Sequence, residues 1–270
     1  MKRIILFSLL AVLTVVACKT VPLTGRRGLK LISSSEINAM SFQQYDELKS
    51  TSKLSTNAEQ VNAVKRVGAR IQEATTKYLK AKGYADLLEG YQWEFILIES
   101  EQVNAFCMPG GKVAFYTGIL PYCKDDAGIA VVMGHEIAHA IAEHGNERMS
   151  QQMGSQLVGS SLSVVLQNEP SQTQSIFGAA YGLGSQYGVM LPFSRKHESE
   201  ADELGLFFMA MAGYNPNAAP EFWTRMSQGG GQKPPEMMST HPSDETRIAN
   251  LNKEMPKAMD FYNQSPYRNK

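Results

Sequence analysis

The chain is poor in cysteine, has no excess charge of either sign and contains almost no long apolar run. Its 270 residues include three cysteines, too few for a small scaffold held together by disulfides. The 26 basic and 26 acidic residues balance, so the chain offers no electrostatic footprint for nucleic acid. No internal repeat of about 34 residues recurs, which argues against an attached helical repeat array. With 43% hydrophobic residues, the chain is long enough to bury one full core.

The one long apolar run lies at the amino terminus. A basic pair precedes residues 4–16, which are mostly apolar, too short to span a bilayer comfortably and typical of a signal peptide. We interpret residues 1–17 as a lipoprotein signal peptide, Cys18 as the lipidated residue and residues 18–32 as a turn-rich tether. An uncleaved membrane anchor is the alternative. Either way we expect export to the periplasmic side of a membrane, the outer membrane rather than the inner one because Lys19 replaces a retention aspartate.

Two cysteines remain after lipidation, Cys107 and Cys123. In an oxidising compartment such a pair can form a disulfide. Two separate buried thiols are the alternative, since spacing alone does not show that the two α-carbons approach within bonding range.

Local patterns predict a mixed fold that becomes helical after its middle. Ser33 and Glu36 have the spacing of a capping box, and a helix is predicted from Asn57 to about Lys82. Strand-like runs follow at 93–98 and 103–116, the second folded around a Pro-Gly-Gly turn. Further helices are predicted at 146–166, 176–189, 197–212, 216–227 and 243–254.

The most informative motif is His135-Glu136-Ile137-Ala138-His139, in an apolar stretch predicted to be a buried helix. Burying two imidazoles and a carboxylate is unfavourable unless something binds them. Helical spacing places His135 and His139 side by side, with Glu136 next to them. Two histidines so placed hold Zn²⁺, and the glutamate takes a proton from water. The alternative is a pair of core histidines satisfied by backbone groups, in a chain that has only five histidines.

A catalytic zinc usually has three protein ligands, and the residues leave more than one candidate for the third. His144 does not fit the spacing of an extended HExxHxxGxxH motif, so we predict a surface or supporting residue whose charge complements the helix end. Glu198 and Asp202 share a helix face, and Asp202 could accept the N–H of a ligating histidine. A solvated acidic helix start is the alternative and fits Glu200 well. Spacing alone does not exclude His197.

Four motifs in a fixed order resemble one family. They are HEIAHAIAEHGNER at 135–148, Asn104-Ala105-Phe106 with Pro109-Gly110-Gly111, ESEAD at 198–202, and Thr240-His241-Pro242 with Arg247-Ile248. Over roughly residues 90–255 the chain resembles the CAAX prenyl protease/HtpX family of zinc metallopeptidases, and more narrowly its soluble bacterial lipoprotein branch of LoiP/YcaL type. The resemblance implies an α+β fold, a mainly helical zincin-like (gluzincin) domain with a small β-sheet preceding the HExxH helix.

The resemblance also assigns a ligand set. Glu198 falls on the third zinc ligand and Asp202 on the aspartate that supports a ligating histidine. We therefore expect one Zn²⁺ per chain, held by His135, His139 and Glu198.

The same comparison of motifs assigns the catalytic groups. Glu136 falls on the general base, and His241 and Arg247 resemble residues implicated in steadying the tetrahedral intermediate. From the residues alone, a turn residue before Pro242 is an equal alternative for His241.

Together these features predict a single metallopeptidase domain over residues 33–265. We expect an endopeptidase that acts on unfolded or misassembled periplasmic or outer-membrane proteins. The strand Val113–Tyr116 is predicted to pair with an extended polypeptide substrate. The predicted substrate-binding residues are Asn104, Ala105, Val113, Ala114 and Phe115. A zinc-containing latent protease acting mainly as a holdase or assembly factor is the alternative, and the sequence does not indicate an oligomeric state.

Overall fold

A computed structural model of the chain describes residues 18–186, 190–228 and 243–268. The helices are α1 (Ser34–Thr51), α2 (Ala58–Ala81), α3 (Leu120–Cys123), α4 (Asp126–Ile141), α5 (His144–Leu166), α6 (Ser171–Ser185), α7 (Leu191–Met211), α8 (Ala218–Gln228) and α9 (Asp244–Gln264). The strands are β1 (Cys18–Thr20), β2 (Arg27–Leu29), β3 (Glu94–Ile98), β4 (Ala105–Met108) and β5 (Lys112–Tyr116). A mainly helical domain with a small sheet before the motif helix confirms the predicted α+β class. The predicted signal peptide and His241 lie outside the described residues.

Helix starts follow the capping residues of the sequence. The Ser33 side chain accepts the N–H of Glu36 at the start of α1, and Asp125 accepts the N–H of Gly128 at the start of α4. The prediction for α7 was wrong at its amino end, because this helix begins at Leu191 rather than near residue 197. Glu198 therefore lies in the second turn of α7, away from the helix start.

The centre of the fold is the contact between α4 and α7, the most extensive contact of any two elements in the described part of the chain. Two glycines allow the helices to approach closely. A Cβ atom on Gly205 would lie 2.7 Å from the backbone nitrogen of His135, and one on Gly134 would lie 2.6 Å from the carbonyl oxygen of Gly205. The two helices therefore touch backbone to backbone at the level of the first motif histidine.

The three-stranded sheet has the order β3-β5-β4, with β5 parallel to β3 and antiparallel to β4. Both edges of β5 are therefore occupied, and Val113, Ala114 and Phe115 are fully buried. The prediction that β5 pairs with a substrate was wrong, because strand pairing is a non-local property that the run of residues does not show. The edge strand beside the motif helix is β4.

Residues 18–32 form a strap across the domain. β1 and β2 pair antiparallel, Val21 is buried, and the N–H of Leu31 donates to the Ser150 hydroxyl of α5 at 2.9 Å. This packing revises the prediction of a free tether from residue 18 onward.

A hairpin of α5 and α6 extends away from this core. Tyr181 holds the two helices together, since its hydroxyl donates to the carbonyl of Ser155 at 2.6 Å. No helix in the described ranges combines the length and apolar character needed to cross a bilayer.

The two remaining cysteines are free thiols, so the possible disulfide between them is not formed. Cys107 lies on β4 near Glu136, whereas Cys123 is buried in the hydrophobic core at the end of α3. The two thiols occupy different surroundings.

Candidate metal centre

The predicted ligands come together between α4 and α7. His135, His139 and Glu198 each offer one ligand atom, and the three atoms lie within 4.8 Å of one another. The two Nε2 atoms are 3.1 Å apart, and the Glu198 carboxylate lies 3.5 Å from Nε2 of His135 and 3.3 Å from Nε2 of His139. This geometry matches the ligand set inferred from the motifs.

His135 is oriented through its other ring nitrogen. Its Nδ1 lies 2.9 Å from the Asp202 carboxylate, which leaves Nε2 directed at the common centre. Arg247 donates to Asp202 at 2.7 Å and to Glu198 at 3.0 Å, and its guanidinium lies 3.8 Å from the centre of the Trp223 ring. Arg247 thus holds the carboxylates of the third ligand, Glu198, and of Asp202, and its role in steadying the reaction intermediate stays a prediction.

His139 is oriented by a histidine rather than by a carboxylate. Nδ1 of His144 lies 2.8 Å from Nδ1 of His139, and Nε2 of His144 lies 2.9 Å from Glu200. Because a carboxylate only accepts, His144 carries its proton on Nε2 and accepts the Nδ1–H of His139. Nε2 of His139 is then free to bind a metal.

The prediction of His144 as a charged residue at a helix end was wrong. His144 begins α5 and is fully buried. Burial, and then the neighbouring His139, His197 and Arg26, lower its pKa well below the usual value, so the ring is neutral. It is a supporting residue, the other role predicted for it.

Glu200 belongs to a second buried cluster behind His144. It was predicted to be solvated, but it accepts hydrogen bonds from Thr24 and from Nε of Arg26, the latter at 2.6 Å. Arg26 also pairs with Glu147 at 2.9 Å. His197, which spacing did not exclude as a ligand, stacks on the His144 ring and lies outside the ligand set. Arg26 lies 174 residues from Glu200 in sequence, and no local pattern indicated the pair.

The electrostatics of the centre favour a positive charge. Burial alone would lower the pKa of His135, but the Asp202 and Glu198 carboxylates outweigh it and raise that pKa to about 10. Burial lowers the pKa of His139 to about 4. The two carboxylates thus favour a positive charge where the two rings meet, and a divalent cation would supply it. Two imidazoles and a carboxylate are a donor set that fits Zn²⁺.

Glu136 lies beside the ligands and carries an unusual carboxyl group. Burial raises the pKa of Glu136 to about 7, and the charge of Glu198 adds to this effect. His135 and the backbone N–H of Cys107, which donates to Glu136, oppose it. A carboxyl group with a pKa near neutrality is suited to taking up and releasing a proton.

The edge of β4 faces this carboxylate. The N–H of Tyr116 donates to the carbonyl of Asn104 at 3.1 Å, and bonded pairs alternate along an antiparallel ladder. The backbone groups of Ala105 and Cys107 therefore point away from β5, and Glu136 uses the N–H of Cys107. The backbone of Ala105 is placed to pair with an extended peptide.

A cavity of about 240 Å³ lies between β4 and the end of α4. His139 and Arg148 form part of its wall. Its apolar lining includes Ile37, Leu87, Tyr91, Phe106 and Met108.

Comparison with known proteins agrees with this centre. Residues 65–255 match the model of Peptidase family M48. The chain is 37% identical over 177 residues to the mitochondrial metalloendopeptidase OMA1 of Arabidopsis thaliana, which covers 66% of this chain and 34% of that protein. It is 35% identical over 190 residues to the mitochondrial metalloendopeptidase OMA1 of Schizosaccharomyces pombe, covering 70% of this chain and 53% of that one.

A bacterial relative is also similar. The chain is 30% identical over 162 residues to the Beta-barrel assembly-enhancing protease of Escherichia coli, covering 58% of this chain and 33% of that protein. The chain thus spans between about a third and a half of the length of these three relatives. The family match covers well over half of the chain and contains the three ligand residues and Glu136. The chain belongs to peptidase family M48.

Proposed function

We propose that this protein is a zinc-dependent endopeptidase that hydrolyses peptide bonds of unfolded or misassembled proteins. The observation that carries the proposal is the convergence of His135, His139 and Glu198, with the Glu136 carboxyl group beside them. The donor set supports zinc as the metal. The printed names of the relatives, metalloendopeptidases and a protease, support peptide hydrolysis.

Each group near the centre then has a task. A Zn²⁺ held there would supply a Lewis acid that polarises water and the scissile carbonyl. Glu136 accepts a proton from the attacking water and delivers it to the leaving amine. Asp202 and His144 keep the two imidazoles in the orientation that ligation requires. His241 is the proposed donor to the developing oxyanion.

The substrate is proposed to bind as an extended chain along β4. Pairing through the backbone at Ala105, next to Asn104, gives affinity with little dependence on sequence. The cavity beside His139 would receive one apolar side chain of the substrate. These features suit unfolded chains, and outer-membrane proteins are included among the proposed substrates. The name of the E. coli relative, which refers to β-barrel assembly, is in keeping with this.

The proposed location is the periplasmic face of the outer membrane. A lipid on Cys18 would anchor the protein, and the strap that begins at this residue would hold the domain close to the membrane. Membership of the soluble lipoprotein branch of LoiP/YcaL type is part of this proposal.

Replacement of Glu136 tests the activity. Glu136→Gln should keep the fold and the zinc, yet slow cleavage of casein by about 10²–10⁴-fold because the base is lost. Glu59→Gln, an exposed change of the same kind, should leave the rate unchanged. Zinc content is measured on all three proteins. Equal, EDTA-insensitive cleavage by wild type and Glu136→Gln would contradict the mechanism. Suppression of casein aggregation by both, with cleavage by neither, would indicate the holdase.

A further inference from the structure

The α5–α6 hairpin carries an exposed apolar surface with almost no charge around it. Residues 149–190 contain one charged side chain, Glu169, in the turn between the helices. Leu157 and Val165 of α5 are 70% and 75% exposed. The other large exposed apolar side chains of the hairpin are Met153, Val158, Val164, Ile176, Phe177 and Leu183.

The contact between the two helices of the hairpin includes Tyr181 of α6. The two helices meet where Tyr181 donates to Ser155 and lies against Gly159. At 100° per residue, Leu157 and Val165 project from α5 on a different side from this contact. We call the eight exposed apolar residues of α5 and α6 the outer stripe. An apolar patch of this extent on a protein surface marks an interaction site.

The amino-terminal strap lies against the base of the hairpin. Leu31 is 51% exposed and is fixed to the first turns of α5 by its hydrogen bond to Ser150. Cys18 pairs with Leu29, two residues before Leu31. Cys18, the residue proposed to carry a lipid, therefore lies on the strap beside the base of the hairpin.

Charged side chains reappear at the two ends of the hairpin, where it joins the rest of the domain. Arg148 on α5 and Lys196 on α7 are both exposed, and they lie just outside the uncharged segment at either end. Away from the outer stripe the hairpin carries mainly serine, glutamine and glycine, and Glu169 in the turn is the one charged side chain of residues 149–190. Uncharged polar groups lose less at a lipid surface than ionised groups do. Basic side chains at the border of an apolar element suit anionic lipid headgroups.

We propose that the α5–α6 hairpin lies in the interfacial region of a lipid bilayer. The outer stripe contacts acyl chains, and Arg148 and Lys196 lie at the level of the headgroups. The hairpin lies on the membrane without crossing it, in keeping with the absence of a spanning helix among the described residues. The inference does not depend on peptidase activity, because it uses none of the groups of the metal centre.

The contact between the outer stripe and acyl chains can be measured by the fluorescence of introduced tryptophans. The full chain is reconstituted into vesicles of phosphatidylethanolamine and phosphatidylglycerol with brominated acyl chains. We expect the added fluorescence of Leu157→Trp and Val165→Trp to fall by about half, because a side chain at this depth meets the bromine atoms. Gln44→Trp, on the exposed side of α1, should not be quenched. Spectra are read against the parent protein, which has two tryptophans.

A matched pair of charge variants distinguishes the outer stripe from the rest of the helix. Val165→Asp should abolish quenching of the Leu157→Trp probe. Ser163→Asp should retain it, because two residues along a helix correspond to about 200° of rotation. Circular dichroism confirms that both variants fold. Unquenched Leu157→Trp and Val165→Trp in vesicle-bound protein would overturn the proposal. A dimer in lipid-free solution that Val165→Asp dissociates, again without quenching in vesicles, would assign the stripe to a second copy.

Discussion

The two imidazole ligands of the metal centre are oriented by different partners. His135 is held by a carboxylate, whereas His139 is held by the neutral ring of His144, which is itself fixed by Glu200. Both arrangements place Nε2 toward the centre. The second also connects the ligand to the amino-terminal strap through Arg26.

The orienting role of His144 can be measured as metal affinity. His144→Phe keeps a ring that stacks on His197 but removes the acceptor for His139. We expect zinc to bind about 10–100-fold more weakly, because loss of an outer partner leaves a ligand free to turn. Affinity is measured by competition with a chromophoric chelator. His197→Phe is the control and should bind zinc normally; equal affinity in both variants would show that His144 only fills space.

Glu147 gives the protein a specific sensitivity to acid. Burial alone would raise its pKa, but hydrogen bonds from His197 and Arg26 lower it from 4.5 to about 2. The folded-state pKa lies below the usual value, so the carboxylate stabilises the fold above pH 4.5. That contribution is lost as the pH falls from 4.5 toward 2.

Glu147→Gln should therefore lower the free energy of unfolding by about 3 kcal/mol at pH 7, since it leaves Arg26 without one of its buried partners. The difference from wild type should shrink at pH 3 and below. Urea unfolding at both pH values measures it. The exposed Glu59→Gln should show no such dependence on pH, and a constant difference for Glu147→Gln would contradict the low pKa.

At the scale of elements, the close approach of α4 and α7 sets the distance between the motif histidines and Glu198. Gly205→Ala places a methyl group against the backbone of His135, so the helices must separate. We expect a loss of about 3 kcal/mol in stability and weaker zinc binding. Gly154→Ala, in open space on α5, should instead stabilise the protein by about 0.5–1 kcal/mol. Thermal unfolding measures both, and a neutral Gly205→Ala would show that the helices have room to spare.

At this scale the sequence predicted the features that depend on residues close together in the chain. Ser33 and Asn57 cap the helices that were predicted to begin there, and the HExxH spacing predicted the shared face of His135 and His139 on α4. The early start of α7 was missed because Leu191 and Pro192 follow a glycine-rich stretch without a clear helical period. The place of β5 in the middle of the sheet was missed because strand order depends on pairing across the fold.

At the scale of the whole molecule, the strap holds the first described residues against the domain. Its Arg26 pairs with Glu147 and Glu200, which lie behind the metal centre. Arg26→Gln should destabilise the protein by about 3–5 kcal/mol, because the buried carboxylates of Glu147 and Glu200 lose their guanidinium partner. Arg27→Gln, at the exposed neighbouring position, should change stability by less than about 0.5 kcal/mol. Urea unfolding compares the two, and similar effects would mean that the strap is held by β1 and β2 alone.

The two histidine ligands were predictable from the HExxH spacing within α4, whereas Glu198 was assigned through the resemblance of its motif to a known family. The residues that support the ligands from behind, His144, Glu200 and Arg26, were not predictable in this way. The sequence around Glu200 predicts a solvated helix residue. Glu200 is buried and paired because Arg26 of the strap, 174 residues earlier in the chain, packs against it. Long-range partners of this kind leave no periodic signal in the sequence.

The residues of the metal centre are far apart in the chain, so they are synthesised at different times. His135 and Glu136 leave the ribosome first, and Glu198, Asp202 and Arg247 follow 62 or more residues later. At roughly 5–20 residues per second, seconds pass in which the motif helix exists without its third ligand. The strap must also wait for Glu200 before Arg26 has both of its carboxylate partners. A nascent chain therefore carries the HExxH motif for a time before it has a competent centre.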